Sequence, residues 1–170
     1  TADVVAAIRP KAFLIENVCG LTRKAFNDYF EYVQLRFRIP EVAPRCGEAW
    51  WEHNERMVRE ATTSISTLRY HLTSALVQAA DYGTPQRRHR VFLIGIRDDI
   101  TTEWKLPPAT HSAKALIRDQ WVTGEYWDRH GVPTSRRPGR PSQSQLAAAN
   151  ALDSDSALAP WRTVRDAISS

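Results

Sequence analysis

The chain has 170 residues, 42% of them hydrophobic and 25% charged, with a formal net charge of +4. That is about one domain's length, and the composition matches soluble globular chains, so wholesale disorder is excluded. No run of about 18 apolar residues is available for a membrane helix. The opening TADVVAAIRPK lacks the basic flank and apolar core of a secretion signal. Two cysteines, Cys19 and Cys46, cannot make a disulfide framework or a CxxC metal site, so the reducing cytoplasm is the expected compartment. The mild excess of 23 Lys plus Arg over 19 Asp plus Glu suggests an anionic partner.

In chain order, Val4, Val5 and Ile8 after Asp3 predict the end of an amphipathic helix stopped by Pro10. AFLIENV, 12–18, is a short apolar run ending in Glu16 and Asn17, which suits a strand buried on both faces of a parallel sheet. Leu21, Ala25, Tyr29 and Val33 recur every four residues and predict a helix over 21–36, ended by Pro40 and Pro44. Trp50, Asn54, Met57, Val58 and Ala61 mark a weaker second helix, with TTS at 62–64 starting a loop. Residues 70–79 and 91–97 read as strands, and the DYGTPQRR turn between them makes an antiparallel pair. Residues 131–159, with SRRPGRPSQSQ and ALDSDSALAP, have linker or disordered composition. TVRD at 163–166 reads as a capping box opening a short final helix.

Two places carry chemistry. Glu16-Asn17 is either a strand-end cap or a carboxyl in a mostly apolar pocket, where desolvation would keep it protonated as a hydrogen-bond donor. QRRHR, 86–90, is either a solvated basic turn or a gripping pair. Alternation puts Arg88 and Arg90 on one side of a strand entry, with Arg87 and His89 on the other. Two guanidiniums so placed can hold a phosphate and a planar carbonyl together. The five histidines form no HxxxH or HExxH arrangement, so a metal site is not expected. The six tryptophans read as core or helix-interface residues.

FLIENVCG at 13–20 and ADYGTPQRRHRVFLIGIR at 80–97 resemble the ENV and QRRxR motifs of the bacterial DNA (cytosine-5)-methyltransferase family, the second with its DYGxPQ turn. WKLPPATHS at 104–112 and WRTVRDAI at 161–168 resemble the segments that precede that family's target-recognition domain. The resemblance implies an α/β fold, a partial Rossmann-like methyltransferase sheet of the last three strands, the final pair antiparallel, with flanking helices. In it, 12–17 would be the fifth strand, with 91–97 inserted antiparallel between the others. The implied activity is methyl transfer from S-adenosylmethionine to carbon 5 of a cytosine flipped out of DNA, since the stacked base is out of reach. The implied catalytic residues are Glu16, on ring nitrogen 3, and Arg90, on O2. The implied substrate-binding residues are Arg88 on the phosphodiester, Asn17 at the strand end and nucleophile loop, and Gln86 within the turn.

The departures from the family bear equally on function. Its nucleophile lies in a Pro-Cys loop ahead of ENV, and no Pro-Cys dipeptide occurs here. Cys19 follows ENV and reads as a small buried residue, and Cys46 has no paired histidine. The family's Gly-rich cofactor loop, the acidic residues for ribose and adenine, the recognition domain and the C-terminal motifs have no counterpart. The resemblance thus implies a chain that opens in the helix before the fifth strand and stops ahead of target recognition. Its parts would be 1–130, the C-terminal half of the catalytic domain; 131–160, a linker or disordered segment; and 161–170, the lead-in to recognition. A fifth strand without its neighbour leaves an exposed edge and an uncovered apolar face. The expected partners are therefore DNA and a complementary methyltransferase chain, the rest of a longer protein or a second copy, with no membrane and no metal. Alone, the chain is expected to be inactive. The alternative is a non-catalytic, basic DNA-binding or interaction module derived from such an enzyme.

Overall fold

Asp3 in the first turn and Val5 on the inner face start α1 (Ala2–Ile8). The helix closes at Arg9, which takes a left-handed conformation, φ 51°, directly before Pro10. In this computed structural model, residues 1–62, 67–101, 104–152 and 158–169 are described. They form two compact units, Thr1–Val77 with Arg90–Leu106, and Gln78–His89 with Pro107–Ser170. The expected parts 1–130, 131–160 and 161–170 do not follow this division.

Unit 1 contains β1 (Ala12–Val18), α2 (Asn27–Arg38), α3 (Trp50–Thr62) and most of β2 (Tyr70–Gln78) and β3 (His89–Arg97). The strand order is β1-β3-β2. β3 runs antiparallel to β1, with Ala12 opposite Ile96 and Val18 opposite Arg90. β2 is also antiparallel to β3: the Asp98 N–H bonds the Arg69 carbonyl at 3.1 Å, and the Ala79 N–H bonds the Arg88 carbonyl at 2.9 Å.

The expectation that 12–18 lies in a parallel sheet with both faces buried is corrected. β1 sits at the sheet edge, and its burial alternates. Phe13 and Ile15 pack inward, while Leu14 is 62% exposed. The main core lies on one sheet face, where Ala2 and Val5 of α1 and Phe30 and Phe37 of α2 pack with Tyr70, Val91 and Leu93. Gly95 stands opposite Phe13. A Cβ there would overlap the Phe13 ring, so this glycine is required by a close approach.

The helix expected over 21–36 begins at Asn27. Before it come two tight turns, Cys19–Thr22 and Lys24–Phe26, separated by Arg23 in an extended conformation. Gly20 disfavours helix, and the Thr22 hydroxyl bonds the Cys19 carbonyl at 2.9 Å in competition with a helical ladder. Leu21 still reaches the main core. Cys19 itself is exposed, as is Cys46, which corrects the reading of Cys19 as buried. α3 forms where expected, although Val58 points outward and His53 takes the core position. Thr62 closes that helix, and the rest of the expected loop start, 63–64, falls outside the described residues. His53 Nε2 faces the Val42 carbonyl at 3.0 Å and must donate to it, so Nδ1 accepts from the Tyr32 hydroxyl at 2.9 Å.

Unit 2 carries a tight turn, Ala79–Tyr82, then β4 (His111–Ser112), α4 (Ala113–Arg118), α5 (Glu125–Arg129), α6 (Gln143–Asn150), β5 (Ala159–Pro160) and α7 (Val164–Ile168). β4 and β5 pair in parallel. Capping explains three helix starts: Ser112 accepts from the Ala115 N–H, and Ser142/Gln145 and Thr163/Asp166 form capping boxes. The last is the box expected at TVRD. The expected linker 131–160 instead contains a capped helix, α6, that buries Ala149 completely. An alanine-rich run has little apolar area to announce burial, yet it suits close helix packing, here against α4. Residues 153–157 of that stretch lie outside the described set.

Candidate functional site

Strand register builds the first part of the site. Glu16 stands opposite Phe92, which makes Arg90 its diagonal neighbour on the same sheet face. Diagonal positions are about 7–8 Å apart, a gap that a Glu and an Arg side chain can close together. Arg90 Nε and Glu16 Oε1 meet in an ion pair. The Glu16 side chain remains 46% accessible, against 19% for Arg90. The apolar pocket expected around Glu16 is therefore corrected. β1 has a strand on one side only, so the carboxylate faces solvent and a guanidinium. Asn17 Oδ1 accepts the Val18 N–H at 2.8 Å, a local bond at the strand end. Beside it opens a cavity of about 540 Å³ lined by Asn17, Val18, Leu21, Phe26, Tyr29 and Trp50.

Unit 2 holds the turn that precedes β3. Gly83 is left-handed, φ +84°, and a Cβ there would come within 2.8 Å of the His111 ring. The Gln86 N–H bonds the Thr84 carbonyl at 2.8 Å. Arg88 is the last residue before β3, and its N–H donates to Gln78 Oε1 at 2.5 Å. Gln78 is 8% exposed, and its carboxamide nitrogen also lies 3.1 Å from the His89 ring. The structure thus brings Glu16 and Arg90 into contact within unit 1, while Gln86 and Arg88 belong to the turn in unit 2.

Sequence reasoning missed what supports this turn. The Trp161 indole N–H donates to Asp81 Oδ1 at 2.8 Å. The Thr110 N–H donates to the Asp81 carbonyl at 2.9 Å, and the Tyr82 hydroxyl to the Pro107 carbonyl at 2.9 Å. The Arg87 guanidinium lies over the Trp161 ring, 5.7 Å from its centroid. The segments around 107–112 and 159–161 therefore clasp the DYGTPQRR turn. A Trp just before a capping box and an Asp before Tyr-Gly were visible signals, but their pairing across 80 residues was not.

Among the described residues, no strand runs into a glycine-rich turn that opens a helix. β1 leads to a turn holding Gly20 alone, and the left-handed glycines Gly47, Gly83, Gly124 and Gly131 lie elsewhere. The described residues thus do not include the glycine-rich strand-to-helix turn that cradles a nucleotide-type cofactor. Among the described residues there is also no group of three or more His, Cys, Asp or Glu able to hold a metal ion. No described helix is long and apolar enough to cross a membrane.

Comparison with known proteins adds an independent line. The Type II methyltransferase M.SacI of Streptomyces achromogenes is 30% identical over 112 residues, covering 66% of this chain and 21% of that protein. M.MthTI of Methanothermobacter thermautotrophicus is 28% identical over 117 residues, covering 69% of this chain and 27% of that protein. M.BsuRI of Bacillus subtilis is 45% identical over 62 residues, 36% of this chain and 14% of that protein. The aligned part is thus about a quarter or less of each relative's length. The family model described as C-5 cytosine-specific DNA methylase matches residues 50–136, just over half of the chain and inclusive of the clasped turn and β3. With the ENV and QRRHR segments placed as the geometry shows, the chain belongs to the C-5 cytosine-specific DNA methylase family.

Proposed function

We propose that the chain supplies Glu16 and Arg90 to a composite site that methylates carbon 5 of a flipped cytosine in DNA, within a Rossmann-like sheet completed from outside residues 1–170. The observation that carries this reading is the side-by-side placement of Glu16 and Arg90 on adjacent strands. Nitrogen 3 and O2 of cytosine are neighbouring acceptors on one ring edge. A carboxyl group and a guanidinium held together can address both at once. When a nucleophile adds to carbon 6, negative charge spreads onto those two atoms. In the assembled site the flipped base shuts water away from Glu16; its carboxyl then takes up a proton and donates it to nitrogen 3, while Arg90 donates to O2. Both interactions strengthen only as that charge develops. Arg88 takes the phosphodiester, Asn17 braces the end of β1, and Gln86 holds the turn.

The nucleophile and the pocket for S-adenosylmethionine, the methyl donor, come from a complementary chain or another part of a longer protein. The free edge of β1 is the place where the sheet would continue. Alone, the chain is inactive in this reading, and the reaction takes place in the reducing cytoplasm. The relatives' names as Type II methyltransferases support a restriction-modification setting.

The test uses this chain reconstituted with a polypeptide carrying the Pro-Cys loop and the cofactor loop. Glu16→Gln is expected to slow single-turnover methylation by about 10²- to 10⁴-fold while leaving DNA affinity unchanged. Unchanged turnover would make Glu16 structural. If no complement restores activity to the unaltered chain while DNA binding persists, the non-catalytic DNA-binding module becomes the better reading.

A further inference from the structure

The segment SRRPGR, 135–140, has the composition of a linker, yet in unit 2 its Arg137, Pro138 and Arg140 help to wall a cavity of about 440 Å³. Gln120, Trp121, Thr123, Thr134, Arg137 and Arg140 line that cavity. We propose that this cavity is a phosphodiester-binding site, a second contact with the DNA backbone separate from QRRHR. The inference rests on the DNA-methylation reading above and extends it to residues that reading does not use.

Three observations carry it. The lining is rich in donors: two guanidiniums, two hydroxyls and a carboxamide, the set that phosphate oxygens accept from. Arg137 is held in place before any ligand arrives. Its Nε donates to the Val132 carbonyl at 3.2 Å, and its guanidinium lies over the buried Trp127 ring, 5.6 Å from the centroid. A pre-oriented guanidinium loses little entropy on binding an oxyanion. The nearest acid, Asp128, is 4.0 Å from Arg137 Nη2 and largely exposed, so it competes weakly.

The third observation is uncompensated charge. Arg136 and Arg140 are exposed, and no ion pair is formed by either among the described residues. By contrast, Arg9, Arg36, Arg56, Arg90, Arg97 and Arg129 each pair with an acid. Arg140 belongs to the lining and Arg136 directly precedes Arg137, so both charges lie in the segment that walls the cavity. Charges spaced along that segment beside a donor-lined cavity match a chain of phosphates better than a single small anion.

The experiment measures binding of the 170-residue chain to a duplex of about 20 base pairs by fluorescence anisotropy at several salt concentrations. The Arg137→Gln/Arg140→Ala double variant, which removes both guanidiniums of the lining, is expected to lower the log–log salt slope by about 1.8, near 0.9 for each phosphate no longer neutralised. Arg38→Ala, an exposed arginine of unit 1, serves as the control and should leave the slope unchanged. Inorganic phosphate, titrated at constant ionic strength, should displace the duplex no better than chloride. An unchanged slope in the double variant overturns the site, and so does an equal change in Arg38→Ala. Displacement specific to inorganic phosphate makes this a free-anion site and overturns the DNA assignment. If Arg88→Ala lowers the slope while the double variant does not, the proposed function stands and this site falls. If the unaltered chain binds no duplex at low salt, this site falls, while the proposed function is decided separately by methylation in the reconstituted protein.

Discussion

Unit 1 mounts Glu16 and Arg90 on a sheet whose covered face buries Tyr70, Val91 and Leu93 to 4% exposure or less. Unit 2 has only the two-residue β4–β5 ladder and steadies its turn with directed bonds from Thr110 and Trp161 to Asp81. Apolar burial is strong but undirected, contributing about 25 cal/mol per Å² wherever surfaces meet. A net hydrogen bond contributes about 1 kcal/mol but fixes an orientation. Unit 2 has an apolar cluster of its own at Tyr126, Trp127 and Val132, but its DYGTPQRR turn is fixed by a few named polar pairs, whereas the strands of unit 1 that carry Glu16 and Arg90 rest on apolar burial.

The comparison breaks most visibly if core truncation in unit 1 is cheap. Leu93→Ala is expected to destabilise that unit by about 2–5 kcal/mol, read from a drop in hydrogen-exchange protection across β1 and β3. Next in size is Gly95→Ala. Its new methyl group overlaps the Phe13 ring, and a cost of about 1–3 kcal/mol is expected by the same measurement. If protection is unaltered, Phe13 has another place to go and the close approach is not a requirement.

Acid sharpens the contrast because the units titrate in different windows. Burial works to raise the Asp166 carboxyl, but bonds from the Thr163 N–H and hydroxyl and from His130 outweigh it and bring the pKa down to about 2. A folded-state pKa below the ordinary 3.8 means stability that is present above that value and lost as pH falls toward 2. In unit 1, burial lowers the pKa of His53 from its ordinary 6.5, so neutral His53 favours the folded state. That contribution is present above pH 6.5 and lost as pH falls through the lowered value. Exchange protection around α3 should therefore weaken at milder acidity than protection around α7. The reverse order would contradict the assigned partners.

Smaller still is Trp161→Phe, which keeps the ring for Arg87 and removes the donor to Asp81. About 1 kcal/mol of local stability should disappear from amides 79–88. Last, Arg88→Ala should leave stability almost untouched and lower the salt slope of DNA binding by about 0.9. A slope unchanged by that substitution would make QRRHR a solvated basic turn.

Local pattern was enough for several features. The Pro10 stop, the strands read at 12–18, 70–79 and 91–97, α3 and the Thr163 capping box each follow from short-range sterics or neighbouring hydrogen bonds, which the sequence carries within a few residues. Glu16, Asn17, Gln86, Arg88 and Arg90 were singled out through the resemblance of the ENV and QRRHR segments to the family's motifs, and their roles stand as proposals. Tertiary structure alone decided the rest. A diagonal contact between Glu16 and Arg90 requires the β1–β3 register, which depends on which sheet face is covered. The exposure of Glu16 goes with β1 lying at an edge, a property of strand order rather than of composition, and that of Cys19 with the tight turn that follows β1. Gln78, Asp81 and Trp161 became visible only when separate segments met, because a hydrogen bond depends on distance in space and is indifferent to distance along the chain.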